Sequence, residues 1–280
     1  MQLAFDTLEI DLSETLTRIK LFIEEYTNNA GVDGIVLGLS GGIDSSVVAA
    51  LCSLSIGGNR VLGLLLPERE TYDPKDIDDA KFVAEKFGIQ TQVCDITPTL
   101  KSFYATIPVF DSKEKICKGN IKARARMTYL YYYANKLNRI VCGSSDKSET
   151  MMGYFTKWGD AAADIAPIMD LYKTQVRKLA IHLGFPDKLA NKPATPALWP
   201  GQLAETELGV KYEILDLILC GLERFMAVEE IAQQLNVNLT LVKKIRSKWL
   251  SAEHKRRTPL TVKLGYRTVG IDFRLPRSGN

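Results

Sequence analysis

Gly34-Ile35-Val36-Leu37-Gly38-Leu39-Ser40 runs directly into Gly41-Gly42-Ile43-Asp44-Ser45-Ser46, and this stretch decides the fold. A short apolar run, GIVLGLS (34–40), reads as a strand buried on both faces. Two adjacent glycines break it, and SSVVAALCSL (45–54) follows as a helix stopped by Gly57-Gly58. Upstream, residues 11–29 place Leu12, Leu16, Ile19, Phe22 and Ile23 at helical spacing before Gly31.

Downstream the same alternation recurs. RVLGLLLP (60–67) predicts a second buried strand, PKDIDDAKFVAEKFG (74–88) an amphipathic helix, and IQTQVCDI (89–96) a more polar strand nearer an edge. KGNIKARARMTYLYYYANKL (118–137) predicts a long helix leading into a fourth strand, NRIVCGS (138–144). Strands alternating with helices imply a parallel, doubly wound sheet. From about residue 151 the chain turns loop-rich, with a helix over 171–184, a Pro-rich loop NKPATPALWPGQ (191–202), and helices over 209–221, 227–235 and 238–252.

Composition removes several classes. With 46% hydrophobic and 25% charged residues over 280 positions, the chain is an ordinary globular one. Its apolar runs fall far short of the ~20 residues of a membrane span. The acidic start, MQLAFDTLEIDLSE, lacks a signal-peptide pattern, so a cytoplasmic location without membrane attachment is expected. Five cysteines (Cys52, Cys94, Cys117, Cys142, Cys220) with no C-x-x-C fit neither a disulfide framework nor a zinc site.

Ligands of an open parallel sheet bind beyond the C-terminal ends of its strands. The first such loop, Ser40 to Ser46, has the parts a phosphate needs: glycines without Cβ atoms, a helix N-terminus, and the hydroxyls of Ser40, Ser45 and Ser46. Asp44 adds a carboxylate able to hold Mg²⁺. Walker A and G-x-G-x-x-G patterns are absent. Gly38-Leu39-Ser40-Gly41-Gly42 also matches the G-x-S-x-G elbow of serine hydrolases, which requires a histidine; only His182 and His254 exist. A glycine–serine turn without any ligand is the third reading.

The loop SGGIDSS after a buried strand resembles that of the N-type ATP pyrophosphatases. Together with KGNIKARARM (118–127), GSSDKSETMMGYFTKWGDAAADIAPIMDLYKTQV (143–176), KPATPALWPGQLAETELG (192–209) and EHKRRTP (253–259), it resembles the ammonia-dependent NAD synthetases over residues 30–260. The resemblance implies a flavodoxin-like α/β sheet of the adenine nucleotide alpha hydrolase-like type. It also implies one domain over 1–280: a sheet core at about 30–185, a substrate loop and C-terminal helices at about 186–260, and a tail at 261–280.

It further implies an ATP-dependent ligase, a homodimer, that amidates deamido-NAD with ammonia through an adenylate. Carried over by position, Gly38, Leu39, Ser40, Gly41, Gly42, Ile43, Asp44, Ser45, Ser144, Lys173 and Thr195 would hold ATP. Asp44 and Glu149 would bind Mg²⁺. Arg124, Lys157, Asp164, His254 and Lys255 would contact deamido-NAD, and Asp160 would stand near the reacting carboxyl. Asp44, Asp160 and Lys173 form the expected catalytic set.

The chain departs from the pattern in two places. Leu203-Ala204-Glu205 replaces the usual T-D-E of the mobile loop, and Gly159-Asp160-Ala161 replaces G-D-G. A homologue that amidates another carboxylate therefore stays open as an alternative. A tRNA sulfur-transfer enzyme would want catalytic cysteines and an RNA-binding domain, and a non-catalytic nucleotide sensor would not need both metal carboxylates. MAVEEIAQQLNVNLTLVKKIRSKWL (226–250) resembles a helix-turn-helix with Lys243, Lys244, Arg246 and Lys248. The overall pI of about 8.5 is low for a nucleic-acid-binding domain, so these helices are expected to shape the dinucleotide site, with no nucleic-acid partner. The tail contributes Arg267, Arg274 and Arg277 as a candidate wrap for the dimer.

Overall fold

A computed structural model describes residues 2–269 and 272. In chain order the elements are α1 (Leu12–Asn29), β1 (Gly34–Gly38), α2 (Ile43–Ile56), β2 (Val61–Leu65), α3 (Pro74–Lys86), β3 (Gln90–Val93), α4 (Thr97–Thr106), α5 (Lys115–Lys136) and β4 (Arg139–Cys142). They continue with α6 (Lys147–Met152), α7 (Lys173–His182), α8 (Asp187–Ala190), α9 (Ala204–Leu208), α10 (Tyr212–Glu223), α11 (Val228–Leu235), α12 (Leu239–Ser251) and α13 (Glu253–Arg256).

The four strands are parallel, in the order β3-β2-β1-β4. Ile35 stands opposite Val61 on one side and Ile140 on the other, and Leu62 stands opposite Gln90. Period-2 alternation then sorts the side chains. Ile35, Leu37, Val61 and Leu65 pack against α1, α2, α3 and α7, whereas Val36, Leu62 and Leu64 pack against α4 and α5. Each fully buried aliphatic side chain contributes about 1.5–3 kcal/mol, so covering both faces is what makes an apolar strand like β1 stable. The polar β3 is exposed throughout and lies at the edge, as its sequence predicts.

A third apolar cluster lies under the C-terminal helices, where Tyr212, Leu215, Ile218, Ile231, Val242 and Ile245 pack with Met152 and Tyr172. Gly153, at the C-terminus of α6, packs against the residue that follows α12. Its φ is +61°, and a Cβ there would fall 2.3 Å from that of Ala252. From 153 to 172 the chain runs through turns and loops, as the sequence pattern predicts. Helix α6 precedes that segment, with Asp146 capping it by accepting the Glu149 N–H at 2.8 Å. Helices α4, α8, α9 and α13 are likewise additions to the sequence-based elements. Arg274 and Arg277, the remaining arginines of the tail, lie outside the described residues.

Strand order determines where a ligand can enter. From β1 the chain steps outward through β2 to β3, then returns to place β4 on the other flank of β1. The direction of winding reverses between β1 and β4, and a crevice opens beyond their C-terminal ends. The loops leaving those two strands are Leu39–Gly42 and Gly143–Asp146.

Candidate active site

The loop after β1 is organised by its own hydrogen bonds. The Ser40 and Ser45 hydroxyls lie 3.0 Å apart, and the Ser45 and Ser46 hydroxyls donate to the Gly42 carbonyl at 3.1 and 2.8 Å. Gly41 has a φ of +76°, and a Cβ there would lie 2.1 Å from the Asp76 carbonyl oxygen. Only glycine lets this loop pass so close to α3. Gly42 precedes α2 in an extended conformation without a side-chain cap, leaving the N–H groups of the first turn available to a ligand.

A cavity of about 300 Å³ opens on this loop. It is lined by Gly38, Leu39, Ser40, Gly42, Ile43, Asp44 and Ser45, together with Ser144, Glu149, Asp160 and Thr195. All of these were singled out by sequence. The Thr195 hydroxyl accepts the Ala197 N–H at 3.1 Å, which shapes the Pro-rich loop as it crosses the cavity. Leu64, Leu66, Met127 and Leu130 form an apolar wall opposite the loop. Neither His182 nor His254 lines the cavity, and both are exposed, so the nucleophile-elbow reading of Ser40 fails for want of a base.

Beneath the cavity lies a buried ionic centre. Lys173, the first residue of α7, is fully buried, and its Nζ stands 2.6 Å from Asp44 Oδ2, 2.8 Å from Asp146 Oδ2 and 2.9 Å from Glu149 Oε1. Burial alone would lower the lysine pKa. The carboxylates of Asp146, Asp44 and Glu149 outweigh it and hold the ammonium well above its ordinary range. Burial also raises the carboxyl pKa of Glu149 strongly and that of Asp146 more modestly, against the pull of Lys173. Oxygens of Asp44, Asp146 and Glu149 lie within 4.8 Å of one another, close enough to share one cation, and Asp44 Oδ1 has no hydrogen-bond partner. Three hard oxygen donors of this kind suit Mg²⁺.

Lys173 therefore lies behind the carboxylates rather than in the cavity wall. Its backbone is pinned from α10: its N–H donates to Ser148 Oγ at 3.0 Å, which donates to Asp216 Oδ1 at 2.6 Å. Asp216 Oδ2 in turn accepts the Thr174 N–H at 2.9 Å.

Four of the five residues matched to deamido-NAD contacts come together beside the cavity. Arg124 on α5 donates to the Lys157 carbonyl at 3.3 Å, and Lys157 Nζ donates to the His254 carbonyl at 2.6 Å. Lys255 donates to the Gly153 carbonyl at 2.6 Å and to that of Phe155, and burial lowers its pKa. The fifth, Asp164, is held at β4. It accepts the Val141 N–H at 2.7 Å and so ties the following loop to β4. Asp160 lies between the two groups. Its carboxylate accepts the Thr156 N–H at 2.8 Å and, although the residue keeps contact with solvent, the packing around the carboxyl raises its pKa.

Some contributors escaped the sequence reading. Asp146 could have been found from the D-x-x-E capping pattern of Asp146-Lys147-Ser148-Glu149. Lys192 bridges Asp76 and Asp79 of α3 and donates to the Gly41 carbonyl at 2.9 Å, fastening the Pro-rich loop to the phosphate-type loop. Nothing in its local pattern distinguishes it from a surface lysine. Arg126, two residues beyond Arg124, lines the cavity and donates to the Leu66 carbonyl at 3.3 Å. The basic helix α12 is not free along its length, because Lys248 lies over the ring of Tyr154, itself a cavity residue, at 5.9 Å. That placement agrees with helices that shape the site.

The NAD synthase family model matches residues 15–259. An NH(3)-dependent NAD(+) synthetase of Methanocaldococcus jannaschii is 46% identical over 254 residues, covering 89% of this chain and 96% of its own. The corresponding protein of Hyperthermus butylicus is 42% identical over 255 residues, covering 91% and 92%. Among solved structures, an NMN synthetase from Francisella tularensis superposes with a TM-score of 0.81 at 34% identity, covering 91% of this chain and 100% of that one. An NH3-dependent NAD synthetase from Campylobacter jejuni superposes with a TM-score of 0.76 at 27% identity, again covering 91% and 100%.

Proposed function

Because the chain belongs to the NAD synthase family, we propose that its cavity carries out the ATP-dependent amidation of deamido-NAD by ammonia, giving NAD, AMP and pyrophosphate. The observation that carries this reading is the meeting of two loops at the β1/β4 switch point. One has the glycines and hydroxyls for a triphosphate, and the other brings a second carboxylate to Asp44.

A carboxylate resists attack by ammonia because its leaving group would be oxide. Adenylation removes that obstacle. A carboxylate oxygen of the substrate attacks the α-phosphorus of ATP, and the bond to pyrophosphate breaks. Ammonia then attacks the acyl carbon, the bond to AMP breaks, and the nitrogen loses a proton.

In this assignment the loop of Gly38–Ser45, with Ser144 and Thr195, holds the nucleotide, and the apolar wall of Leu66, Met127 and Leu130 suits its base. Asp44 and Glu149, joined by Asp146, would hold Mg²⁺, which supplies neutralising charge to the phosphates. Lys173 lies behind these carboxylates and balances their charge. Arg124, Lys157, His254 and Lys255 take the dinucleotide, with Asp164 tying its own loop to β4. Asp160 is the acceptor for the ammonia proton, a role that its raised pKa favours. Bringing two anions together requires this density of cationic and N–H donors in a site that excludes water.

A homodimer and a cytoplasmic location accord with the family. No described helix is long and apolar enough to cross a membrane. Similarity to an NMN synthetase favours a second reading, in which the acid is the corresponding mononucleotide. One experiment separates the two. Pyrophosphate and AMP release is measured with ATP, Mg²⁺ and ammonium, in the presence of deamido-NAD or of nicotinic acid mononucleotide. Release that depends on deamido-NAD supports the first reading, a preference for the mononucleotide supports the second, and release with neither rejects both.

A further inference from the structure

The three carboxylates best placed for a metal are already engaged, and the group engaging them is a lysine of the same chain. Lys173 Nζ, with no exposure to solvent, stands 2.6–2.9 Å from Asp44 Oδ2, Asp146 Oδ2 and Glu149 Oε1. Three carboxylates this close, one buried and two half-buried, would repel one another, and the ammonium prevents that. Mg²⁺ needs its oxygen ligands at about 2.0–2.1 Å. A cation held by the three oxygens that now face Nζ would occupy the space of the ammonium itself.

From this geometry we infer that Lys173 is a resident cation. It keeps the acidic centre assembled before nucleotide arrives, and it gives up those oxygens when Mg²⁺ binds. The inference rests on the metal reading of Asp44 and Glu149 given above. It adds that metal and lysine compete for one set of oxygens. Movement is confined to the side chain, because the Lys173 backbone is anchored to Ser148 and the helix behind it to Asp216. Asp146 acquires a role here as a positioning residue. Fully buried and capping α6, it holds the lysine at the centre and leaves the other two carboxylates their outlet on the cavity. The ammonium released by the metal then lies next to a cavity about to receive phosphate, so one charge serves two states of the site.

Two measurements on the full chain, both without nucleotide, test the idea. The first uses the unaltered protein: lysines are acetylated with and without millimolar Mg²⁺, and modification is quantified by mass spectrometry. Lys173 should be protected without metal and become several-fold more reactive with Mg²⁺, while surface lysines do not change. Equal protection in both samples overturns the exchange.

The second compares Mg²⁺ binding by calorimetry in the wild type and in Lys173→Met. Removing a charge less than 3 Å from the shared oxygens should tighten Mg²⁺ binding about tenfold or more. Mg²⁺ should also raise the melting temperature of the variant more than that of the wild type. Binding no tighter than wild type overturns the exchange and leaves the metal reading intact, whereas no Mg²⁺ binding by either protein overturns both. Should Lys173→Met fail to fold even with Mg²⁺, the acetylation result decides.

Discussion

Asp44 sits where three requirements meet: it belongs to the first turn of α2, lines the cavity, and bonds the buried ammonium. Asp44→Asn keeps the size of the side chain and removes its charge. Pyrophosphate release should fall about 100-fold or more, in the range seen when one preorganised electrostatic group is lost from an active site, with an unchanged circular dichroism spectrum. Retained turnover would remove Asp44 from the mechanism. Gly41 shows a different kind of demand, imposed by backbone rather than chemistry. With φ at +76° and the Asp76 carbonyl 2.1 Å from where a Cβ would stand, Gly41→Ala should cost about 2 kcal/mol or more in urea unfolding. A change within a few tenths of a kcal/mol would show that the loop moves away from α3 at little cost.

Among the elements, α7 and α10 make the site rigid without touching the cavity. Asp216 of α10 is buried, and its pKa is pushed up to about 6, first by burial, while its bonds to Ser148 and Thr174 pull it down. A carboxyl whose folded pKa exceeds its unfolded value takes up protons on folding, so stability is greatest below the unfolded value and falls as pH rises toward 6. Asp216→Asn removes that titration. Stability measured from about pH 4 to 6 should lose on the order of 2 kcal/mol less in the variant than in the wild type. Parallel slopes would show that Asp216 does not titrate in this window. The Pro-rich loop depends on Lys192, whose pKa stays raised because Asp76 and Asp79 outweigh the effect of burial. These anchors tie α10 to α6 and α7, and the Pro-rich loop to α3, and the sequence pattern revealed none of their pairings.

At the scale of the whole molecule, three apolar clusters meet at the crevice, one on each face of the sheet and one under α10–α12. If the chain is one domain, calorimetry should show a single cooperative transition; two separable transitions would divide it near α7. The curated relatives are NH(3)-dependent synthetases, so ammonium should support turnover and glutamine should not. Chelation of divalent metal with EDTA should abolish pyrophosphate release, and added Mg²⁺ should restore it. Glutamine-driven turnover would point to an amide-hydrolysing site not identified among the described residues.

Much of this was legible before any coordinates. Buried strands and the loop of Ser40–Ser46 follow from local rules, whereas the pairing of Asp44 with Glu149 came from the family resemblance. Glycine permits a tight turn, alternation of strand and helix implies a parallel sheet, and residues at strand ends face the ligand. The strand order, the helix α4, the burial of Lys173 among three carboxylates and the bond between Asp164 and β4 emerged only in three dimensions. The reason is physical. Charge pairing and desolvation depend on distance through space, and Lys173 lies 129 residues from Asp44 along the chain yet 2.6 Å from it in the fold.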